Sequence, residues 1–170
     1  MIGTGIDITQ AGSKNPGFNN VLRVSSKWRA AIVLVGDILK GYLPLLLLSP
    51  GETISTAWGI GIAAVMGHCW SPFLKFNGGK GVSTTVGVLL FLEFWTSLLC
   101  LPLYPLLRIF GRKMKWRQEG AISSLITMFV ISTLVMVMRG AEYGVFAYIL
   151  FAIVLLRHVP NFRDIMGSGS

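Results

Sequence analysis

Residues 68–85 read HCWSPFLKFNGGKGVSTT and place a Gly-Gly-Lys-Gly turn, Gly78–Gly81, between two strongly apolar segments. Glycine tolerates positive φ and lets backbone N–H groups approach a ligand closely, and Lys80 adds a fixed positive charge among them. This combination suits a phosphate group. A nucleotide P-loop is excluded, because Gly81 follows the lysine where that motif has Ser or Thr. The simpler alternative is an ordinary basic loop on the cytoplasmic side of a membrane.

The composition indicates a membrane protein. Of the 170 residues, 53% are hydrophobic and only 13% are charged, about half the charged share of a soluble domain. The formal net charge of +8 does not indicate nucleic-acid binding, because every Lys and Arg except Lys40 and Arg139 lies in or beside a gap between apolar runs. Cys69 and Cys100 lie in apolar runs and match neither a disulfide framework nor a zinc site. We therefore expect no nucleic-acid partner and no metal.

The apolar runs predict an all-α, polytopic membrane helix bundle that forms a single domain over residues 1–170. The basic gaps at 74–81 and 108–119 are expected to face the cytoplasm, together with both ends of the chain. Residues 82–107 must then leave that side and return to it, so we expect either a pair of short or broken helices that meet near Glu93 or a re-entrant pair. About six spans are predicted in all, at about 29–48, 54–73, 82–93, 94–107, 120–138 and 143–157.

A few ionisable side chains fall inside the predicted spans. Asp37 and Lys40 are three residues apart in the first span, so they share a helix face and are expected to neutralise each other in the bundle interior. Glu93 has no obvious partner in the sequence and indicates a helix break rather than a catalytic group. His68 closes the second span, where a lone histidine is expected to be hydrogen-bonded within the packing.

Three polar clusters, at 12–23, at the Gly78–Gly81 turn and at 157–163, are expected on one membrane face. In this order they resemble the motifs of the bacterial membrane family of acyl-phosphate-dependent glycerol-3-phosphate acyltransferases, and the resemblance covers nearly all of the chain. The sequence begins almost at the first motif, so the span that the family has before this motif is expected to be missing from it. The matching residues are Gly12, Ser13, Asn15, Gly17, Asn20 and Arg23 in the first motif, Gly78–Gly81 with Ser83 and Thr84 in the second, and Arg157, His158, Asn161 and Gly167 in the third.

The resemblance implies transfer of a fatty acyl group from acyl phosphate to the 1-hydroxyl of glycerol 3-phosphate, which gives lysophosphatidic acid and phosphate in the first step of phospholipid synthesis. It implies no cofactor, and it implies a multi-pass protein of the inner (plasma) membrane whose motif loops face the cytoplasm among membrane lipid. The implied catalytic residues are Lys80, His158 and Asn161. The implied substrate-binding residues are Ser13, Asn15, Asn20, Arg23, Gly78, Gly79, Gly81, Thr84 and Arg157.

Two phosphorylated substrates require two anion sites. Lys80 with the amides of Gly79 and Gly81 is suited to one phosphate, and Arg23 with Ser13 and Asn20 is suited to the other. The proton of the glycerol hydroxyl can pass to His158, oriented by Asn161, or to the substrate's own phosphate.

Two other functions remain open at the level of the sequence. A small multi-pass transporter for a phosphorylated solute also places basic, Gly-rich loops beside broken helices, although no inverted repeat is visible between the halves of this chain. An inactive homologue that serves as a membrane interaction protein is the other alternative. Lys14, Phe18, Asn19 and Asn77 depart from the residues usual in the family.

Overall fold

The computed structural model describes residues 5–167, with the side chains of 164–166 left out. The ends of the predicted domain, 1–4 and 168–170, therefore lie outside the described residues. Every regular element within 5–167 is helical, which confirms the predicted all-α class. The α-helices are α1 (Phe18–Val24), α2 (Lys27–Tyr42), α3 (Ile54–Cys69), α4 (Val82–Leu92), α5 (Phe94–Cys100), α6 (Leu103–Lys113), α7 (Glu119–Arg139), α8 (Ala141–Arg157) and α9 (Val159–Met166). Short 3₁₀ turns cover Leu43–Leu47 and Pro72–Leu74.

Three helical segments in the described part of the chain are long and apolar enough to cross a membrane, namely Lys27–Leu47, Phe94–Lys113 and Glu119–Arg139. Helices α3 and α8 have 16 and 17 residues, and α4 is a shorter apolar helix of 11. The number of membrane crossings thus stays a prediction.

Two helix ends differ from the limits of the apolar runs. Helix α3 ends at Cys69, before the predicted limit at 73, because Pro72 holds the preceding residue in an extended conformation with ψ 124°. Helix α6 continues past 107 to Lys113, where Arg108 and Arg112 lie 3.7 and 3.5 Å from Glu119 of α7. Polar contacts along one face therefore carry this helix beyond its apolar part.

The expected break near Glu93 is present. Helix α4 ends at Leu92, Glu93 adopts φ −135° and ψ 55°, and α5 begins at Phe94. The sequence shows no obvious partner for Glu93, but in the structure its carboxylate lies 3.4 Å from Nε of Arg139 at the end of α7. Glu93 is buried, at 5% exposed, and a buried carboxylate needs such a partner.

Glycine brings α2 and α4 into direct backbone contact. A Cβ at Gly41 would lie 2.1 Å from the carbonyl oxygen of Thr84, and one at Gly87 would lie 2.0 Å from that of Ile38. Thr84 is consequently fully buried under α2, and its hydroxyl has no hydrogen-bond partner among the described residues. It is not among the residues that line the cavity described below, so its position does not support the substrate-binding role implied for it.

The largest apolar cluster joins α3, α4, α7 and α8. Trp58 of α3 stacks on Phe146 of α8 with ring centroids 5.8 Å apart, and Val88 and Val135 are fully buried in the same cluster. This packing fixes the helices whose ends carry the polar motifs.

Candidate functional site

A cavity of about 1520 Å³ joins the three polar clusters. Its polar mouth is formed by side chains and turns of the motifs, and its apolar interior extends between α2, α4, α5 and α7. Of the residues implied by the resemblance, Ser13, Asn15, Asn20, Arg23, Gly78, Lys80, Gly81, Arg157, His158 and Asn161 line the cavity. The apolar interior is lined by Leu34, Ile38, Val86, Leu89, Leu90, Leu101, Met128 and Ile131.

Asn20 holds the loop that contains the first motif. Its side-chain oxygen accepts a hydrogen bond from the Ser13 amide at 2.8 Å, and its NH₂ group donates to the carbonyls of Ile8 and Ala11 at 3.1 and 3.0 Å. Asn20 is 2% exposed, so its amide is committed to the loop rather than to a substrate.

The other polar side chains of this motif differ in whether they bond to the loop itself. Asn15 accepts from the Gly17 amide at 2.9 Å and shapes the turn before α1. Arg23 is exposed and makes no hydrogen bond or ion pair with the described side chains, which leaves its guanidinium available at the mouth.

The Gly78–Gly81 turn is built differently from the sequence expectation. Only Gly81 has positive φ, at +82°; Gly78 and Gly79 are required because the turn packs directly on the end of α3. The Gly78 amide donates to the Cys69 carbonyl at 3.1 Å, and the Gly79 amide donates to the His68 carbonyl at 3.2 Å. The amide of Gly79 is therefore already bonded, which corrects the expectation that it holds a phosphate.

Arg157 supports the same turn from α8. Its Nε donates to the Gly79 carbonyl at 3.1 Å and its Nη2 donates to the Gly78 carbonyl at 2.9 Å, while the guanidinium lies 5.6 Å from the ring centroid of Trp70. A planar fork that reaches two adjacent carbonyls is a geometry that arginine provides and lysine does not.

Lys80 joins a short polar chain across the mouth. Its Nζ donates to the side-chain oxygen of Asn161, and the NH₂ group of Asn161 donates to Gln118 at 2.8 Å. Gln118 has φ +58° immediately before α7. Sequence reasoning missed Gln118, and no local pattern identifies it, since its role comes from contact with a segment 43 residues further on.

His158 is held as a neutral ring just beyond the end of α8. Its Nδ1 donates to the Val154 carbonyl at 2.7 Å, and its Nε2 lies 3.4 Å from the hydroxyl of Ser124. Burial lowers the pKa of His158 to about 4; the nearby Lys80 charge adds to the shift, and the bond to Val154 opposes it. At neutral pH the imidazole is a weak proton acceptor.

Asp37 and His68 also line the cavity, and sequence reasoning did not bring them together. The expected pair between Asp37 and Lys40 is present at 2.9 Å, with the carboxylate buried and the side chain of Lys40 largely exposed. The same carboxylate oxygen lies 3.5 Å from Nδ1 of His68. This contact joins α2 to α3 and has no signature in the sequence.

Comparisons with known proteins identify the family of this chain. The family model described as glycerol-3-phosphate acyltransferase matches residues 1–168. The glycerol-3-phosphate acyltransferase of Endomicrobium trichonymphae is 32% identical over 163 residues, which cover 95% of this chain and 79% of the relative. That of Alkaliphilus metalliredigens is 36% identical over 159 residues, which cover 93% of this chain and 77% of the relative.

Two solved structures of PlsY (YgiH), an integral membrane glycerol 3-phosphate acyltransferase, have a similar fold. The glycerol 3-phosphate form has a TM-score of 0.81 at 26% identity and covers 96% of this chain and 80% of that chain. The lysophosphatidic acid form has a TM-score of 0.78 at 28% identity and covers 92% and 79%.

Proposed function

Because this chain belongs to the glycerol-3-phosphate acyltransferase family, we propose that it transfers a fatty acyl group from acyl phosphate to the 1-hydroxyl of glycerol 3-phosphate. The products are lysophosphatidic acid and inorganic phosphate, and the reaction is the first step of phospholipid synthesis. One observation carries the proposal: a single cavity combines a polar, cationic mouth with an apolar interior. Such a cavity suits one substrate that is a small phosphate ester and another that couples a phosphate to a fatty chain.

Lys80 and the beginning of α4 are proposed to hold one phosphate. Helix α4 starts after Gly81 without a side-chain cap, so the amides of Val82 and Ser83 have no partner within the helix and the positive end of its dipole is open. Val82 and Ser83 both line the cavity beside Lys80. Broken membrane helices commonly direct such an end at an anionic substrate group.

Arg23 and the hydroxyl of Ser13 are proposed to hold the second phosphate, from the loop of the first motif. Both residues line the mouth, and Asn20 fixes the loop by binding the Ser13 backbone amide rather than its hydroxyl. Charge-assisted bonds from a guanidinium suit a phosphate. Two anion sites within one cavity match the requirement of two phosphorylated substrates.

The acyl carbonyl is attacked by the 1-hydroxyl oxygen of glycerol 3-phosphate; the new C–O ester bond forms, and the carbonyl–phosphate C–O bond breaks with its electron pair leaving on phosphate. The hydroxyl proton passes to a phosphate oxygen. A phosphate group, with a second pKa of about 6, is a better acceptor at neutral pH than His158 with a pKa of about 4. In this mechanism His158 positions Ser124 and α9. The acyl–phosphate anhydride bond supplies the driving force once the two substrates are aligned.

We propose that the mouth faces the cytoplasm and that the six predicted spans cross the inner membrane. The basic segments near the mouth favour this orientation by the positive-inside rule. The Glu93–Arg139 pair joins the end of α4 to the end of α7, away from the motif loops. This supports the proposal that residues 82–107 cross the membrane twice, once before and once after Glu93.

The test uses purified protein in detergent and in liposomes, with acyl phosphate and glycerol 3-phosphate supplied together and release of phosphate and lysophosphatidic acid followed. Lys80→Ala is expected to lower kcat/KM by about 100-fold or more, because it removes a charged group from a phosphate site. Lys113→Ala is the control, since it removes an exposed lysine at the end of α6 that is not among the residues lining the cavity, and it is expected to stay within about threefold of wild type.

Equal rates for wild type and Lys80→Ala would overturn the enzyme proposal. Flux of a phosphorylated solute across liposomes without acyl phosphate would instead favour a transporter, and the absence of both activities would favour an interaction protein.

A further inference from the structure

We propose that Asp37 and His68 form a positioning pair that holds the Gly78–Gly81 turn, and through it Lys80, at the mouth of the cavity. The inference rests on the proposed function, in which Lys80 binds a substrate phosphate. Asp37 is 4% exposed within α2, and its carboxylate oxygen faces Nδ1 of His68 at 3.5 Å and Nζ of Lys40 at 2.9 Å. An ionisable group at that depth is costly and is normally retained for a specific role.

His68 contacts the Gly78–Gly81 turn through both its backbone and its ring. Its backbone carbonyl accepts from the Gly79 amide at 3.2 Å. Its ring occupies the space that a side chain at Gly79 would need, since an ideal Cβ there would lie 2.0 Å from Nε2, 2.7 Å from Cε1 and 3.1 Å from Cδ2. Any residue larger than glycine at 79 would displace the ring or the turn.

The direction of the ring separates a positioning role from a catalytic one. Nε2 is the ring atom nearest the side-chain position of Gly79, so the tip of the imidazole points at the turn. A general base would instead have to direct this nitrogen at a substrate hydroxyl within hydrogen-bond reach. The Asp37 carboxylate faces Nδ1 and favours the tautomer protonated there, which fixes the ring as second partners do for ligating histidines.

The turn is thereby held from two sides. Arg157 of α8 binds the carbonyls of Gly78 and Gly79. On the other side, the backbone carbonyl of His68 in α3 binds the Gly79 amide, and its ring fills the space beside Gly79. Asp37 connects this support to α2. Lys80 follows directly, so its backbone position depends on both supports.

The experiment is a double-mutant cycle between His68→Asn and Gly79→Ala, with KM for glycerol 3-phosphate, KM for acyl phosphate, kcat and Tm measured for each protein. Asparagine can still face Asp37 but lacks the ring tip. Gly67→Ala is the control, because a Cβ at this neighbour of His68 meets nothing within 4 Å. Asp37→Asn tests the remote member of the pair, since it keeps the volume and removes the charge.

We expect His68→Asn and Asp37→Asn to raise by about tenfold the KM for the substrate whose phosphate Lys80 holds, with the KM for the other substrate and kcat changed by less than about threefold. Gly79→Ala alone should lose about tenfold or more in kcat/KM, and the double variant should recover about tenfold relative to Gly79→Ala, because the methyl group enters the space left by the ring. Gly67→Ala should match wild type.

The proposal is overturned if the losses of the two single variants multiply in the double variant, or if His68→Asn lowers kcat at unchanged KM, as removal of a base would. It is also overturned if the Tm of His68→Asn falls far enough to account for its loss. If the wild type transfers no acyl group, the proposed function fails, and the pair is then tested by the rise in Tm that inorganic phosphate produces. That rise should be reduced in both single variants and restored in the double variant; an unchanged rise contradicts the pair.

Discussion

Replacing Arg157 with lysine tests how the cavity mouth is held together, because it keeps the charge and removes the fork. The guanidinium donates to the carbonyls of Gly79 and Gly78 at 3.1 and 2.9 Å. A lysine ammonium can reach one of these oxygens but does not present two parallel N–H groups. A hydrogen bond from a charged donor contributes about 1.5–3 kcal/mol, so the loss of one bond corresponds to about 10- to 150-fold in the equilibrium that keeps the turn in place.

The assay is kcat/KM for phosphate release in detergent, with Tm measured in parallel. We expect Arg157→Lys to lower kcat/KM by about 10- to 150-fold while Tm changes little, since the affected segment is a turn and not the apolar core. Arg163→Lys provides the matched control: Arg163 also lines the mouth, but it is exposed and its guanidinium makes no hydrogen bond to the described side chains.

A wild-type kcat/KM for Arg157→Lys would refute this reasoning. It would mean that the residue acts as a point charge on a substrate, in line with the substrate-binding role implied by the family resemblance, and that the two carbonyl contacts are dispensable.

Three further predictions concern stability in detergent. Gly41→Ala should destabilise the protein by about 1–3 kcal/mol because its Cβ would lie 2.1 Å from a backbone oxygen of α4. Gly36→Ala is the control on the same helix, since its Cβ meets nothing within 4 Å and the change should be neutral or stabilising. Equal Tm values for the two variants would contradict the close contact. The pKa of His158, about 4, is below its value in the unfolded chain, so the unfolded state takes up the proton first as pH falls. The contribution of His158 to the free energy of unfolding is therefore complete above about pH 6.5 and is lost, by about 3 kcal/mol at most, as pH falls towards 4. Tm measured from pH 4 to 8 should therefore show a weaker acid dependence in His158→Asn than in wild type. Arg139→Met should cost about 2 kcal/mol by leaving Glu93 buried without its partner, less than a fully buried pair because Arg139 is half exposed, and Glu93→Gln in the same background should restore most of the loss in Tm.

The helical fold could be predicted because it depends on local properties of the chain. Apolar runs and basic gaps indicate helices and sidedness, and the requirement that residues 82–107 return to their starting side indicates a break near Glu93. The partner of Glu93 could not be predicted in the same way. Arg139 lies 46 residues further on, and only the packing of α4 and α5 against α7 brings the two together.

In the site, the residue types were predictable but their contacts were not. Glycine at 78 and 79 indicates either unusual backbone angles or close approach, and the sequence does not distinguish these. The structure shows close approach to the end of α3, which also occupies the Gly79 amide. Asn20 and Arg157 were likewise recognisable as polar motif residues, yet both bind backbone groups of the protein itself. Such partners depend on tertiary structure rather than on spacing.

The contact of His68 with Asp37 places the Gly78–Gly81 turn beside a residue ten positions into α2, about 15 Å along the helix from Lys27. The described lining of the cavity carries seven basic and three acidic side chains, and much of its wall is apolar. Apolar walls concentrate the electric field of these charges inside the recess, so that a phosphorylated solute is drawn inward along a gradient of potential. The same gradient opposes the departure of inorganic phosphate. For the proposed reaction we therefore expect rapid capture of the substrate and slow escape of the leaving group to arise from one arrangement of charge.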